Sequence, residues 1–199
     1  MRITGGRYRS RTLEAPRGDA TRPTSDRVRE ALFAILGSNG GLAGARVLDL
    51  YAGTGALAFE ALSRGAAEAV LVEPARAALR VIQANARSLA VEALVKVVPT
   101  TVERAGTAVL AAGPFDLVFA DPPYADITSG EAPRAIEALL RAPAGLLTAE
   151  ATLVLEHGKA DTPPALAGLG ALDTRRYGDT CLSFYALLPP AAEAPSGGG

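Results

Sequence analysis

Cysteine, histidine and methionine occur once each in the 199 residues of this chain, and tryptophan not at all. The lone thiol, Cys181, cannot close an intramolecular disulfide, form a CxxC redox pair or build a cysteine-rich zinc site, and no metal centre is expected. Long apolar runs are missing too. Each is broken by glycine, proline or charge well short of the roughly 18 residues that a membrane span needs. Arg2, Arg7, Arg9 and Arg11 open the chain without the apolar stretch of an export signal. Neither a membrane span nor an export signal is therefore expected, and the chain reads as cytoplasmic. What is present is apolar material, 49% of residues, enough to bury one main core.

A net charge of −1 conceals a split. Residues 1–29 hold eight arginines against Glu14, Asp19 and Asp26, a balance of +5 that leaves −6 for everything after them. A basic front end before an acidic body fits either a solvated arm or a phosphate-binding surface. On the second reading, Arg7, Arg9, Arg11 and Arg27 are the candidates for contact with RNA phosphates.

Residues 1–20 read as a small basic β-hairpin, two short strands around Gly5 and Gly6 with apolar and aromatic residues among the arginines. Residues 21–188 read as the main domain, and 189–199, rich in proline and glycine, as a disordered tail. Thr24, Ser25 and Asp26 offer N-caps for a helix whose apolar residues Val28, Ala31, Leu32, Ile35 and Leu36 recur at helical spacing until Gly37. Apolar strands follow at 46–50, 69–72, 95–98, 115–120 and 152–156. Helical patterns separate them: one after Gly55, then 75–89, 102–112 and 131–141. The alternation predicts an open α/β sheet, mostly parallel and Rossmann-like, with ligands at the carboxyl ends of the strands. Residues 172–177 and 181–187 flank Gly178-Asp179, a hairpin signal that adds an antiparallel C-terminal edge. Cys181 then reads as packing in an edge strand.

The first core strand ends in Asp49-Leu50-Tyr51-Ala52-Gly53-Thr54-Gly55, where glycines let the backbone approach a ligand and turn sharply into a helix. Glu73 ends the next strand, 18 positions beyond Gly55, where a carboxylate can take both hydroxyls of a ribose. Together they describe an adenosine-type pocket. Ala58 stands where a dinucleotide fingerprint has its third glycine, a substitution that fingerprint tolerates, so the turn alone leaves NAD open. Asp49 favours S-adenosylmethionine: its charge suits the ammonium of the methionine part and would repel a pyrophosphate.

Asp121-Pro122-Pro123-Tyr124 follows the fourth core strand, at the same carboxyl edge as the glycine turn. Paired prolines fix φ twice and remove two amide donors, leaving a rigid loop with outward carbonyls between a carboxylate and an aromatic ring. Those parts suit a planar base. An aryl amine is a poor nucleophile because its lone pair is delocalised, and acceptors on both its hydrogens favour the pyramidal form that attacks. Asp121 and the Pro122 carbonyl are the candidate acceptors, and Tyr124 the stacking ring. Such a reaction needs no strong base, so His157 is given no role in it.

The ordered set of Arg2-Ile3-Thr4-Gly5-Gly6, the segment from Arg22 to Phe33 beginning Arg-Pro-Thr-Ser-Asp-Arg-Val-Arg-Glu, Leu48 to Gly55, Ala61-Leu62-Ser63-Arg64-Gly65-Ala66, and Asp121 to Tyr124 resembles the RsmD family. Its members are bacterial guanine-N2 methyltransferases of small-subunit ribosomal RNA. The resemblance runs almost from the first residue to Tyr185. It implies a class I S-adenosylmethionine methyltransferase sheet of seven strands, and as partner the 16S rRNA of an assembling small ribosomal subunit; separately, the chain is expected to be a monomer. It also implies cofactor contacts at Asp49, Tyr51, Gly53, Gly55 and Glu73, with Arg22 and Thr24 near the methionine end; Thr54, Pro74, Thr101 and Val102, beside these positions or after the third strand, are further candidates. Base handling falls to Asp121, Pro122, Pro123 and Tyr124. After the third strand such enzymes often carry Asp or Asn for the adenine amine, whereas this chain has Thr100-Thr101-Val102. Three other readings compete: a DNA adenine-N6 methyltransferase, for which residues 124–146 leave little room for target recognition, an NAD oxidoreductase, and a non-catalytic RNA-binding assembly factor.

Overall fold

The computed structural model describes residues 1–15, 26–38, 41–141 and 145–188. Helix α1 (Asp26–Ser38) precedes β1 (Arg46–Asp49), α2 (Ala56–Ser63), β2 (Glu68–Val72), α3 (Arg76–Leu89) and β3 (Val95–Val98). Then come α4 (Gly106–Leu110), β4 (Phe115–Ala120), α5 (Tyr124–Thr128), α6 (Glu131–Leu140), β5 (Leu147–Gly158), β6 (Leu169–Tyr177) and β7 (Thr180–Leu187). The strands form one sheet in the order β3-β2-β1-β4-β5-β7-β6. Pairing is parallel from β3 to β5 and antiparallel at β5–β7 and β7–β6.

The two-residue period of the strands sorts their side chains onto two faces. Val47, Leu71, Leu117, Phe119, Val154 and Phe184 pack with buried residues of α1, α2 and α3. Leu48, Val70, Val118, Leu153 and Leu155 pack on the other face with α4 to α6. Strands buried on both sides explain the near-continuous apolar runs of the sequence.

Several elements differ from their expected form. The stretch 102–112 is a single 3₁₀ turn, Val102–Arg104, followed by the short α4, which starts on Gly106. Helix α5 begins on Tyr124, directly after the proline pair. Strand β5 extends to twelve residues. Strand β7 lies between β5 and β6, so β6 is the edge, and Cys181 sits buried in an interior strand.

The N-terminal segment forms one antiparallel bridge, Arg2↔Thr12, around a run of turns, in place of two strands. Some of its amides pair within it, Ile3 with the Arg11 carbonyl, Ser10 with Ile3 and Leu13 with Met1, and others reach α2. Glu60 on α2 accepts from the Thr4 amide at 2.8 Å, the Thr4 hydroxyl at 2.7 Å and the Gly5 amide at 2.9 Å. Ser63 takes the Tyr8 amide on its hydroxyl and the Arg7 amide on its carbonyl. Gly6 has φ +75°, and a Cβ there would stand 1.9 Å from the Ser63 carbonyl oxygen, so only glycine fits. Ile3 and Leu13 anchor the segment in the core. Among the described residues, no helix is long and apolar enough to cross a membrane. Residues 189–199 lie outside the described residues.

Candidate cofactor and base site

In this strand order the chain runs from β1 outward to β3, then returns to place β4 on the other side of β1. That reversal opens a crevice beyond the carboxyl ends of β1 and β4, where open α/β sheets bind ligands. The register fixes what meets there. Asp49 ends β1 opposite Leu71 of β2 and Phe119 of β4, so the glycine turn and the Asp121–Tyr124 loop leave the sheet side by side.

Asp49 is 1% exposed, and among the described residues neither of its carboxylate oxygens has a hydrogen-bond partner. Burial pushes its pKa up to about 8; the charges of Asp121 and Glu73 add to the rise. The amides of Ala58 and Tyr51 lean the other way without either reaching hydrogen-bonding geometry. Three carboxylates thus converge, one of them buried and unsatisfied. Such a group is costly unless a cation meets it. An ammonium on a ligand fits it.

Glu73 is set differently. Its Oε2 accepts the Gly53 amide at 2.8 Å and its Oε1 the Ala75 amide at 2.7 Å, so the carboxylate is held rigidly across the glycine turn. Each oxygen keeps a second lone pair for a ligand hydroxyl. Gly53 has φ +54° and open space where a Cβ would stand, which leaves its backbone accessible. Gly55 is used for closeness: at φ +77° its missing Cβ would meet Phe59 at 2.6 Å. Tyr51 is half-buried, and burial, with Glu103 and Asp126, raises its hydroxyl pKa.

Pro122 is buried, Pro123 exposed, and Asp121 and Tyr124 partly exposed at the crevice. The Tyr124 hydroxyl lies 3.0 Å from Thr180 Oγ1. Of the other expected contacts, Pro74 and Thr101 are exposed and Thr54 is partly buried, while Val102 is 3% exposed and belongs to the core packing of its face. Arg7, Arg9, Arg11 and Arg27 are exposed, Arg11 donating to the Ser88 carbonyl. Arg22 and Thr24 lie outside the described residues. Among the described residues no cluster of ligands for a metal ion occurs. Cavities of about 240 and 420 Å³ lie at the amino ends of the strands, beside Arg46 and Glu68 and beside Leu42 and Asp116, away from this crevice.

Asn85 was not legible as part of this region. Buried on α3, it donates to the Thr54 carbonyl and to the Glu14 carbonyl, both at 3.2 Å, and accepts the Glu14 amide at 2.7 Å. It ties the N-terminal segment to the glycine turn. A polar residue on the apolar stripe of α3, between Ile82 and Leu89, was its one trace in the sequence. His157 is fully buried, its ring nitrogens 3.0 Å from the Gly158 carbonyl and 2.8 Å from Ser183 Oγ, a structural placement.

The model of the family described as Conserved hypothetical protein 95 matches residues 1–186. The chain is 31% identical to YlbH of Bacillus subtilis over 93% of its own length and 98% of that protein's. It is 40% identical to ribosomal RNA small subunit methyltransferase D of Escherichia coli over 62% of its own length and 60% of that protein's. The solved structure of Escherichia coli yhhF superposes with a TM-score of 0.74 at 33% identity, covering 94% of this chain and 97% of that one. At 18% identity, magnesium protoporphyrin IX methyltransferase of Synechocystis, solved with bound S-adenosylmethionine, shares the fold alone, with a TM-score of 0.61 over 81% of this chain and 79% of that one. The sheet is thus of the class I S-adenosylmethionine methyltransferase type, and the chain belongs to the Conserved hypothetical protein 95 family, the RsmD family of methyltransferases.

Proposed function

We propose that this chain is a cytoplasmic, monomeric methyltransferase that moves a methyl group from S-adenosylmethionine to the N2 amine of a guanine in the 16S rRNA of an assembling small ribosomal subunit. One observation carries the reading: Asp49, buried and without a hydrogen-bond partner among the described residues, ends β1 close enough to Glu73 and Asp121 for their charges to act on it. The names of the related proteins support rRNA as the substrate class. S-adenosylmethionine, when bound, supplies an electrophilic methyl on a sulfonium centre.

The residues divide the remaining work. Asp49 would take the ammonium of the methionine part, and Glu73, held by two amides, the ribose hydroxyls. Glycine at position 53 leaves room for the ligand beside the turn. Asp121 and the Pro122 carbonyl would accept the two hydrogens of the target amine, drawing its lone pair out of conjugation. Tyr124 would stack on the base and hold the amine in line for attack. The exposed arginines at 7, 9 and 11 sit on the segment that Asn85 and Glu60 fasten to the cofactor side of the sheet, where they would meet phosphates.

The test is transfer of labelled methyl from S-adenosylmethionine to small subunits that lack the modification, with duplex DNA in parallel and nucleoside mass spectrometry of both. Label recovered as N2-methylguanosine in the rRNA is the expected result. Label on adenine in DNA would replace the reading with the DNA enzyme, and RNA binding without label would leave an assembly factor.

A further inference from the structure

Two elements far from it in sequence, the end of β5 and the start of β7, close around the Tyr124 ring. Its hydroxyl pairs at 3.0 Å with Thr180 Oγ1, on the first residue of β7, which is 7% exposed. The ring lies against Gly158, the last residue of β5, where a Cβ would stand 3.4 Å from its Cδ2 and 3.6 Å from its Cε2. The Thr128 hydroxyl is shared between the Tyr124 carbonyl at 3.0 Å and Asp161 Oδ1 at 3.3 Å, and Asp161 Oδ2 accepts the Gly158 amide at 3.1 Å. A Lys159–Asp179 ion pair, with the Lys159 amide donating to the Asp179 carbonyl, joins the two turns that carry Gly158 and Thr180.

A tyrosine at the first position of a five-residue helix has two soft torsions and little helix to restrain them. Contact with Gly158 sets how close the ring comes to the sheet. It leaves the tilt of the ring open, and the hydroxyl pair with Thr180 closes it. The ring plane in turn sets the plane of any base stacked on it, and alignment for attack is sensitive to displacements of about 1 Å.

We infer that Thr180 is a positioning residue for methyl transfer: its hydroxyl fixes the orientation of the Tyr124 ring, and through it the orientation of the target base. The inference rests on the proposed function. It goes beyond that reading by giving a role to the start of β7.

The experiment measures kcat and KM on small subunits lacking the modification, the S-adenosylmethionine Kd by calorimetry and the Tm, for wild type, Thr180→Val, Thr180→Ser, Tyr124→Phe and the double variant Thr180→Val/Tyr124→Phe. Thr180→Val removes the hydroxyl at nearly constant volume and is expected to lower kcat about tenfold. Cofactor Kd stays at the wild-type value and Tm falls by no more than a few degrees, Thr180→Ser restores kcat to within about twofold, and the double variant is no slower than Tyr124→Phe alone. Wild-type kcat in Thr180→Val, additive losses in the double variant, or a matching loss of cofactor affinity would each overturn the inference. Absence of transfer by the wild-type protein would instead overturn the methyltransferase reading itself, so the two failures are told apart.

Discussion

Replacing Glu60 by alanine lowers the stability of the fold by about 3–5 kcal/mol, the cost of leaving a buried charge without its partner. Glu60 is fully buried on α2 and takes five donors: the Thr4 amide and hydroxyl, the Gly5 amide, Arg64 Nε at 2.8 Å and Arg29 Nε at 3.4 Å. Arg29 is itself fully buried, and its other contacts include Asp26, the Arg2 carbonyl and the Met1 sulfur. Without Glu60 the guanidinium keeps its burial and loses its fully buried counter-charge, with the half-exposed Asp26 still at 2.8 Å, and the N-terminal segment loses three anchors at once. In a chain of this size the shift in Tm is on the order of 10 °C. Urea denaturation monitored by circular dichroism measures it. A loss under about 1 kcal/mol would show that the cluster is solvated and that the N-terminal segment is not fastened through it.

Asp49→Asn weakens S-adenosylmethionine binding by about 2–5 kcal/mol, roughly 30-fold to several thousand-fold, because the ligand's ammonium then lacks its desolvated counter-charge. In the free protein the Asp49 pKa is about 8, so the carboxyl must lose a proton before it can pair with a cation. Wild-type affinity therefore rises as pH goes from 6 towards 8 and falls above it as the ligand's own α-ammonium, with an ordinary pKa of about 8, loses its proton, while the Asp49→Asn variant lacks the rise. Stability runs in the opposite direction. The folded-state pKa lies above the ordinary value of 3.8, so the folded protein holds the proton more tightly, and wild-type stability falls as pH climbs from about 4 to about 8. Asp49→Asn removes that fall, and its Tm advantage over wild type is larger at pH 8.5 than at pH 5. Titration calorimetry and thermal melts at those pH values check both signs. Equal cofactor affinity in wild type and variant would remove Asp49 from the site.

The parts of the site that could be read in the sequence are those fixed by position along one strand. Asp49, Gly53, Glu73 and Asp121 each follow an apolar run closely, and the alternation of runs places them all at one sheet edge. What could not be read is carried by contacts across the fold. Glu60 meets Thr4 over 56 positions, Asn85 meets Glu14 over 71, and Tyr124 meets Thr180 over 56. No local period encodes such pairs. Arg29 was counted with the basic front end because charge alone does not separate a buried guanidinium from a solvated one; Asp26, three residues before it, was the available hint. The place of β7 between β5 and β6 escaped for a similar reason, since a hairpin signal fixes which strands pair and leaves open which of them faces the sheet. Helix α5 was too short to show a period of its own.

The most direct test of the whole account is a comparison of wild type with Asp121→Ala in methyl transfer to unmodified small subunits, alongside the S-adenosylmethionine Kd of each. Loss of an acceptor that acts on the amine as it attacks is expected to lower kcat by about 10²–10³ while cofactor affinity holds within about threefold. Transfer at the wild-type rate by Asp121→Ala would contradict the account, because the amine would then be activated somewhere other than the crevice shared by Asp49, Glu73 and the Asp121–Tyr124 loop.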